Sequence, residues 1–306
     1  MNESRPTMAS APATRAAGSS PRRARRWPSR LGLGLGLTGL LAAGFGLLLL
    51  PGGCGDGDDA GKQSQVPTVR AIPNFAKISN VEEKKRRFFD FMTPLIEAEN
   101  RKLRAKRTRL LELRAQYAQE AYLAPEEAAW LRSLGRQYGI DDFALHRPQS
   151  WTHLCARVDI VPLPLALVQA ANESGWGTGR LARLSLGMYG EWCYQEGCGI
   201  APLRRDADAK HLVEAFESVN ASVRSYMHNL NTNHAYEMFR LLRQRMREEG
   251  EPLDSYQLAT GLVKYSQRRE EYVRELRLML RVNRKYWDDH EPGAERGGPV
   301  LADARG

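Results

Sequence analysis

The chain has 306 residues, with 45 Lys and Arg against 36 Asp and Glu, a formal net charge of +9, and 42% hydrophobic and 8% aromatic side chains. That composition is ordinary for a soluble globular protein. The positive excess does not argue for nucleic acid: residues 1–30 hold seven arginines and one glutamate, and residues 55–306 hold 38 basic against 35 acidic side chains.

The leader reads as export. Five of its arginines (Arg22, Arg23, Arg25, Arg26 and Arg30) precede an uncharged run over residues 31–50, then Pro51-Gly-Gly-Cys54. A run of about 20 residues is long enough to span a bilayer. Its many glycines moderate the hydrophobicity, so a signal peptide with a long apolar stretch fits as well. The step from four leucines to Cys54, followed by Gly-Asp-Gly-Asp-Asp, resembles a bacterial lipoprotein signal, in which Cys54 is acylated. Pro51 departs from that pattern, and an uncleaved signal anchor over residues 1–54 is the other reading. Both leave the arginines inside and put the rest of the chain outside the cytoplasm. Residues 55–75 lack apolar periodicity and read as a flexible tether.

Residues 76–150 read as helical. Ser79 is a candidate N-cap, with Glu82 and Glu83 in the first turn. Phe88, Phe89, Phe91, Met92, Leu95 and Ile96 recur at helical spacing, and Pro94 among them predicts a kink. A charged helix follows over residues 101–122. Its glutamates interleave with its bases, which makes it a solvated face rather than a membrane or nucleic-acid surface. Pro125 opens another helix ending near Gly139, and no strand pattern appears in this half.

Pro162 to Ala171 is almost wholly apolar and reads as a buried helix opened by prolines, ending in Asn172-Glu-Ser-Gly-Trp-Gly177. A carboxylate at the end of such a helix is costly unless it is paired or functional, and burial raises its pKa toward that of a general acid. The same residues also fit a helix C-terminus with a solvated Glu173 and Gly175 as cap.

The pattern Gln169-Ala-Ala-Asn-Glu-Ser-Gly-Trp-Gly-Thr178 resembles the signature of the lysozyme-like peptidoglycan N-acetylglucosaminidases, glycoside hydrolase family 73. Matching pieces follow in order: Leu186-Gly-Met-Tyr-Gly190, Phe216-Glu-Ser218 with Ser222-Val-Arg-Ser-Tyr226, and Tyr265-Ser with Glu271-Tyr272. Gly190-Glu-Trp-Cys193, Gly197-Cys-Gly199, Asn229-Leu-Asn-Thr232 and Ala235-Tyr236 are closer still to a branch of that family in Gram-negative bacteria. Ser185-Leu186-Gly187 stands where the family has asparagines, which puts a substrate-positioning amide in doubt.

The resemblance implies a mainly α, lysozyme-like α+β domain over residues 151–288 with a small β-hairpin lobe, preceded by packed N-terminal helices and followed by a disordered tail over 289–306. The lobe is expected between Gly187 and Ser218, with short strands at 188–194, 199–203 and 211–216. Glu173 is the implied acid, and hydrolysis of the β-1,4 bond after N-acetylglucosamine in peptidoglycan glycan strands is the implied reaction. A second carboxylate is expected in the lobe, and the candidates are Glu191, Glu196, Asp206, Asp208 and Glu214. Glu191 ranks first because it alternates with apolar neighbours in a strand that should line the cleft. The substrate's own acetamido group is an alternative nucleophile that needs no protein base.

Tyr265 matches the family's cleft tyrosine, and Trp176, Tyr189 and Trp192 are candidate substrate-binding aromatics, although each type is equally at home in a core. Cys193 and Cys198 flank a four-residue turn and could bridge in an oxidising compartment, while Cys155 reads as a buried free thiol. His211, His228 and His234 lack metal spacing, and no phosphate-binding glycine loop follows a strand, so neither metal nor cofactor is expected. The expected partners are peptidoglycan and, through the N-terminal segment, the membrane, on the periplasmic side of the cell envelope. The competing class is a degenerate member that binds peptidoglycan or an envelope partner without cutting it. If Cys54 is acylated, Cys54→Ser leaves a longer, unprocessed membrane protein that takes up no lipid label; unchanged mobility with no label in either protein excludes the lipoprotein.

Overall fold

The computed structural model describes residues 66–202 and 212–287, all within one compact unit. The calls on the leader, including Cys54, on the strand residues Leu203 and His211, on Asp206 and Asp208, and on the tail lie outside the described residues.

Helix α1 (Val81–Glu120) dominates one side of the molecule. Asn80, not Ser79, caps it: its Oδ1 accepts the Glu83 N–H at 2.9 Å. The helix continues through Pro94 as a single 40-residue element. Proline removes one backbone bond there, but Phe88, Phe89, Met92, Leu95 and Ile96 are all buried on either side of it. Burial of several large apolar side chains, each worth about 1.5–3 kcal/mol, outweighs the proline's cost of about 3 kcal/mol. The expected pair of segments is therefore one helix. Helices α2 (Pro125–Gln137) and α3 (Pro148–Arg157) follow, both opened by proline at the first turn, and α3 crosses the boundary expected at residue 150.

Helix α4 (Leu163–Ser174) is the centre of the core, and every residue from Leu163 to Ala171 is buried. It packs against α1 and against α9 (Glu270–Val282). Helix α8 (Ser255–Leu258) also packs on it, and α5 (Arg180–Ser185), α6 (Val219–Thr232) and α7 (Glu237–Glu248) lie between α4 and α8 in the chain. Part of the expected tether is docked on this core. Ile72 and Phe75 are buried, and the Val69 N–H and C=O pair with Asn220 Oδ1 and the Val219 N–H at 2.8 and 2.9 Å. These isolated apolar anchors between prolines have no period for a sequence reading to detect.

The β-lobe is smaller than expected, and it is not a simple hairpin. Strands β1 (Trp192–Cys193) and β2 (Gly199–Ile200) lie on opposite sides of β3 (Leu212–Glu214), both antiparallel to it. Trp192 faces Val213 across one ladder and Gly199 faces Glu214 across the other. The whole is a mainly α, lysozyme-like α+β arrangement.

The connection ahead of α4 is fixed by a buried charge. Asp159 is 2% exposed and receives Arg247 from α7 at 3.0 and 3.1 Å, with Arg107 of α1 and Arg243 of α7 at 3.4 and 3.8 Å. Burial alone raises this carboxyl, and Arg243, Arg247 and Arg107 together more than reverse that, leaving it below its ordinary value. Asp159→Ala strands Arg243, itself 1% exposed, without its counter-charge. We expect a loss of about 3–5 kcal/mol in urea unfolding. The wild-type contribution is complete above the unfolded-state aspartate value, about 3.9, and is lost as pH falls through the lower folded one. An Asp159→Ala protein unfolding at the wild-type urea concentration refutes this.

Candidate active site

Glu173 occupies the last turn of α4. The chain reverses directly after it, with Gly175, Trp176 and Gly177 all at positive φ (57°, 57° and 69°). Gly177 is needed as glycine, because a Cβ there would stand 2.7 Å from the Phe75 ring. Trp176 adopts the left-handed conformation at a cost of about 1–2 kcal/mol. Its ring packs edge-on against Phe88 and Phe89, with centroids 5.6 and 5.2 Å away. Trp176 thus packs on the core and α1 and does not border the cleft, so the expectation that it binds substrate is corrected.

Glu173 opens instead onto a cleft of about 1070 Å³, bordered by Gly190-Glu191-Trp192, α6 and the segment 263–269. Gly190, at φ 66°, lets the opposite wall come close: a Cβ there would lie 3.3 Å from a Glu173 carboxyl oxygen. Burial raises the Glu173 carboxyl above its ordinary value, opposed by a hydrogen bond from Tyr272 and by the Arg268 charge. Behind the carboxyl runs a buried chain. Tyr226 donates to Gln169 Oε1 at 2.6 Å, and Gln169 Nε2 donates to the Tyr272 hydroxyl at 3.0 Å. The Tyr272 oxygen is therefore an acceptor on one side, and its proton points to Glu173. Gln169 and Glu173 are one helical turn apart on α4, so one helix face carries both the centre of the chain and the carboxyl it reaches.

The other wall carries Glu191. Its Oε1 accepts from Ser225 at 3.1 Å, and its Oε2 is buried without a hydrogen-bond partner among the described residues. Burial, then the nearby Glu214, push its pKa up to about 8. Glu214 also borders the cleft and is raised by burial, whereas Glu196 lies exposed at the β1–β2 turn. Cys193 and Cys198 are joined in a disulfide beside it. Trp192, 49% exposed, borders the cleft.

Two aromatics serve the site indirectly. Tyr189 is 1% exposed, and one ring face is covered by Tyr226, stacked at 3.7 Å and 6°. It is part of the cleft floor rather than a sugar platform. Tyr265 donates to the Tyr189 carbonyl at 2.8 Å and stacks on Tyr272, so it holds the Tyr189–Glu191 segment in place. Ser185, standing where asparagine was expected, accepts the Gly187 N–H at 3.0 Å and is 1% exposed. It closes its own turn and offers nothing to a ligand. His228 and His234 border the cleft, and Cys155 is a buried free thiol. Sequence reading missed Gln169, Ser225, Tyr226 and Tyr272 as site residues; each stands inside a motif segment, which was the available signal.

The order and placement of these segments agree with comparisons to known proteins. A glucosaminidase family profile, described as mannosyl-glycoprotein endo-beta-N-acetylglucosaminidase, matches residues 149–284. Protein bax of Escherichia coli (strain K12) is 30% identical over 227 residues, 74% of this chain and 77% of that protein. The chain belongs to the glucosaminidase family. Membership carries glycoside hydrolase chemistry at the general level, of the kind that acts on peptidoglycan. The family match begins in α3 and includes α4, the β-lobe and all of α9, so α1 and α2 lie ahead of it. No solved structure matches the chain significantly.

Two titrations test the geometry. A hydrogen bond to a carboxylate favours its charged form, so Tyr272→Phe moves the Glu173 carboxyl resonance to a higher midpoint in a carbon-13 NMR titration. An unchanged midpoint means that the Tyr272 contact is absent. For Glu191, the folded state keeps a proton that the unfolded chain releases between pH 4.5 and about 8. Stability therefore falls as pH rises through that window and levels off above it, and Glu191→Gln flattens the slope. Parallel stability profiles of variant and wild type refute the assignment.

Proposed function

We propose that this protein hydrolyses the β-1,4 bond after N-acetylglucosamine in peptidoglycan, with Glu173 as general acid. The observation that carries this reading is a carboxyl at the cleft floor, raised by burial and aimed by the Tyr226–Gln169–Tyr272 chain. A protonated Glu173 gives its proton to the leaving glycosidic oxygen as the C1–O bond breaks, and positive charge develops at C1 and the ring oxygen.

The second carboxylate decides between two routes. An inverting enzyme needs an ionised base across the ring, and Glu191, at about 8, holds its proton at neutral pH. This favours attack by the substrate's own acetamido oxygen, with Glu191 contributing a hydrogen bond from the cleft wall. A binding module without turnover has less support, because an acid and a second carboxylate share one cleft.

The leader extends the proposal to location: residues 1–54 direct export and tether the domain to the membrane, through acylated Cys54 or an uncleaved segment, on the periplasmic side. Among the described residues no helix is long and apolar enough to cross a membrane.

Glu173→Gln keeps the shape and removes the transferable proton. Turnover of purified peptidoglycan is expected to fall at least ~100-fold while folding and binding persist. New reducing ends of N-acetylglucosamine, identified by mass spectrometry, are expected from the wild type. Retained turnover in a folded Glu173→Gln protein ends the assignment, and N-acetylmuramic acid ends point to a muramidase.

A further inference from the structure

The β-lobe forms one wall of the cleft without a share in the helical core. Among the described residues, none from 190 to 218 belongs to the contiguous apolar core, which leaves the chain at Tyr189 and resumes at Val219. The strands are two or three residues long, at or below the length at which strands usually hold together. The lobe is therefore held by local ties. β2 and β3 rest on α5, and the Phe216 N–H beyond β3 donates to the Ser185 carbonyl at 2.8 Å. β1 is joined to that pair through its two-residue ladder with β3, the Glu214 N–H on the Glu191 carbonyl at 2.9 Å, and the Cys193–Cys198 bridge.

The bridge is placed to decide whether this wall stays closed. It ties the end of β1 to the residue ahead of β2, two strands that flank β3 and do not pair with each other. The Cys193 sulfur rests close on β2, since a Cβ added to Gly199 would lie 3.1 Å from it. Cys198 is fixed in turn by its carbonyl, which accepts the Ala215 N–H at 3.0 Å. Glu191 stands two residues before Cys193, and its side chain is shut in against Ser225 of α6. A short loop constrains the unfolded chain least, so the bridge acts mainly on local opening of the lobe. Both cysteines are half-buried, within reach of a small reductant.

We propose that the Cys193–Cys198 disulfide is a positioning element of the cleft and a redox-sensitive latch: reduction by a small dithiol opens the β1 wall, releases Glu191 to water and lowers turnover while the helical core stays folded. A reductant thiolate attacks one bridge sulfur and expels the other as a thiolate. The second reductant thiolate then closes the reductant's own disulfide and expels the remaining sulfur, so two electrons pass to the protein and both cysteines become thiols once protonated. The loss of turnover rests on the hydrolase reading; the opening of the wall does not.

The test compares the full-length protein oxidised, reduced with dithiothreitol, and reoxidised with oxidised glutathione. Reduction is expected to lower kcat/KM on peptidoglycan roughly tenfold or more, and reoxidation to restore it. Cys193→Ser/Cys198→Ser protein stays low under all three conditions; it keeps Cys155, so its insensitivity assigns the effect to the bridge. In hydrogen exchange, reduction speeds the amides of 191–200 and 212–216 and leaves α4 and α9 unchanged, with the main melting transition moved by no more than about 4 °C. The stability slope that Glu191 causes between pH 4.5 and about 8 flattens on reduction, because an open wall returns this carboxyl to its ordinary value. Glu214 and the buried Tyr189, Tyr226, Tyr236 and Tyr265 are the titratable groups around it, and the tyrosines keep their protons throughout that window. Reduction therefore changes the slope less in Glu191→Gln protein. Unchanged turnover with both thiols shown free by alkylation, unchanged lobe exchange, or a larger fall of the main transition overturns the proposal. If the oxidised protein cuts nothing, the hydrolase reading fails on its own, and exchange with the pH slope still decides the latch.

Discussion

A charge inside a helical core must be neutralised where it stands, and Asp159 meets that constraint by drawing three arginines from two helices. Arg107 comes from α1 and also donates to the Cys155 and Val158 carbonyls at 2.6 and 2.9 Å. Arg243 and Arg247 come from α7, and Arg243 further binds the Ile160 and Ala156 carbonyls, both at 2.8 Å, and Asn231 of α6 at 2.7 Å. Asn100 of α1 clamps Val161 from the other side through its N–H and C=O. Apart from Asn231, these contacts fall on the residues just ahead of α4. Removing any one arginine weakens the compensation of a buried carboxylate, so α1, α6 and α7 are held together around this connection. From that anchor, ten residues of helix rise about 15 Å to Glu173.

The opposite end of α4 is held by apolar contacts. Phe75, Phe88, Phe89, Trp176, Tyr286 and Trp287 form a run of edge-on and tilted aromatic contacts behind the reversal that follows Glu173. This cluster offsets the strain of Trp176 at positive φ, and it explains why α1 cannot be separated from the cleft-bearing residues. The reversal turns the Glu173 carboxyl toward Gly190, while the tyrosine chain approaches from behind.

Glu173 and Glu191 show how environment separates two identical side chains. Glu173 receives a directed hydroxyl from Tyr272 and feels Arg268, which hold back the rise that burial causes. Among the described residues Glu191 has Ser225 alone as a donor, and it faces Glu214, so its rise goes nearly unopposed. One carboxyl is raised against an opposing hydrogen bond and charge, and the other is raised by burial and a like charge together. The Tyr265 bond to the Tyr189 carbonyl couples the two walls, because it fixes the strip of backbone that carries Gly190 and Glu191.

Much of this was legible in the amino-acid order, and the reason is local. The apolar run 162–171 read as a buried helix, prolines marked the starts of α2 and α4, and the motif at 169–178 singled out Glu173. Family membership follows from the same segments. Other features depend on residues far apart in the chain, where no period or spacing reports them. The unbroken α1, the docking of residues 66–75, the sheet order with β3 in the middle, and Trp176 turned to the core are of this kind. So is the Tyr226–Gln169–Tyr272 chain, whose members stand 57 and 103 residues apart. Sequence by itself determined which residues are apolar, which break helices and which carboxylates were available. Tertiary structure alone decided which of those carboxylates lost their water and what faced them, because desolvation and hydrogen bonding depend on neighbours that only folding supplies.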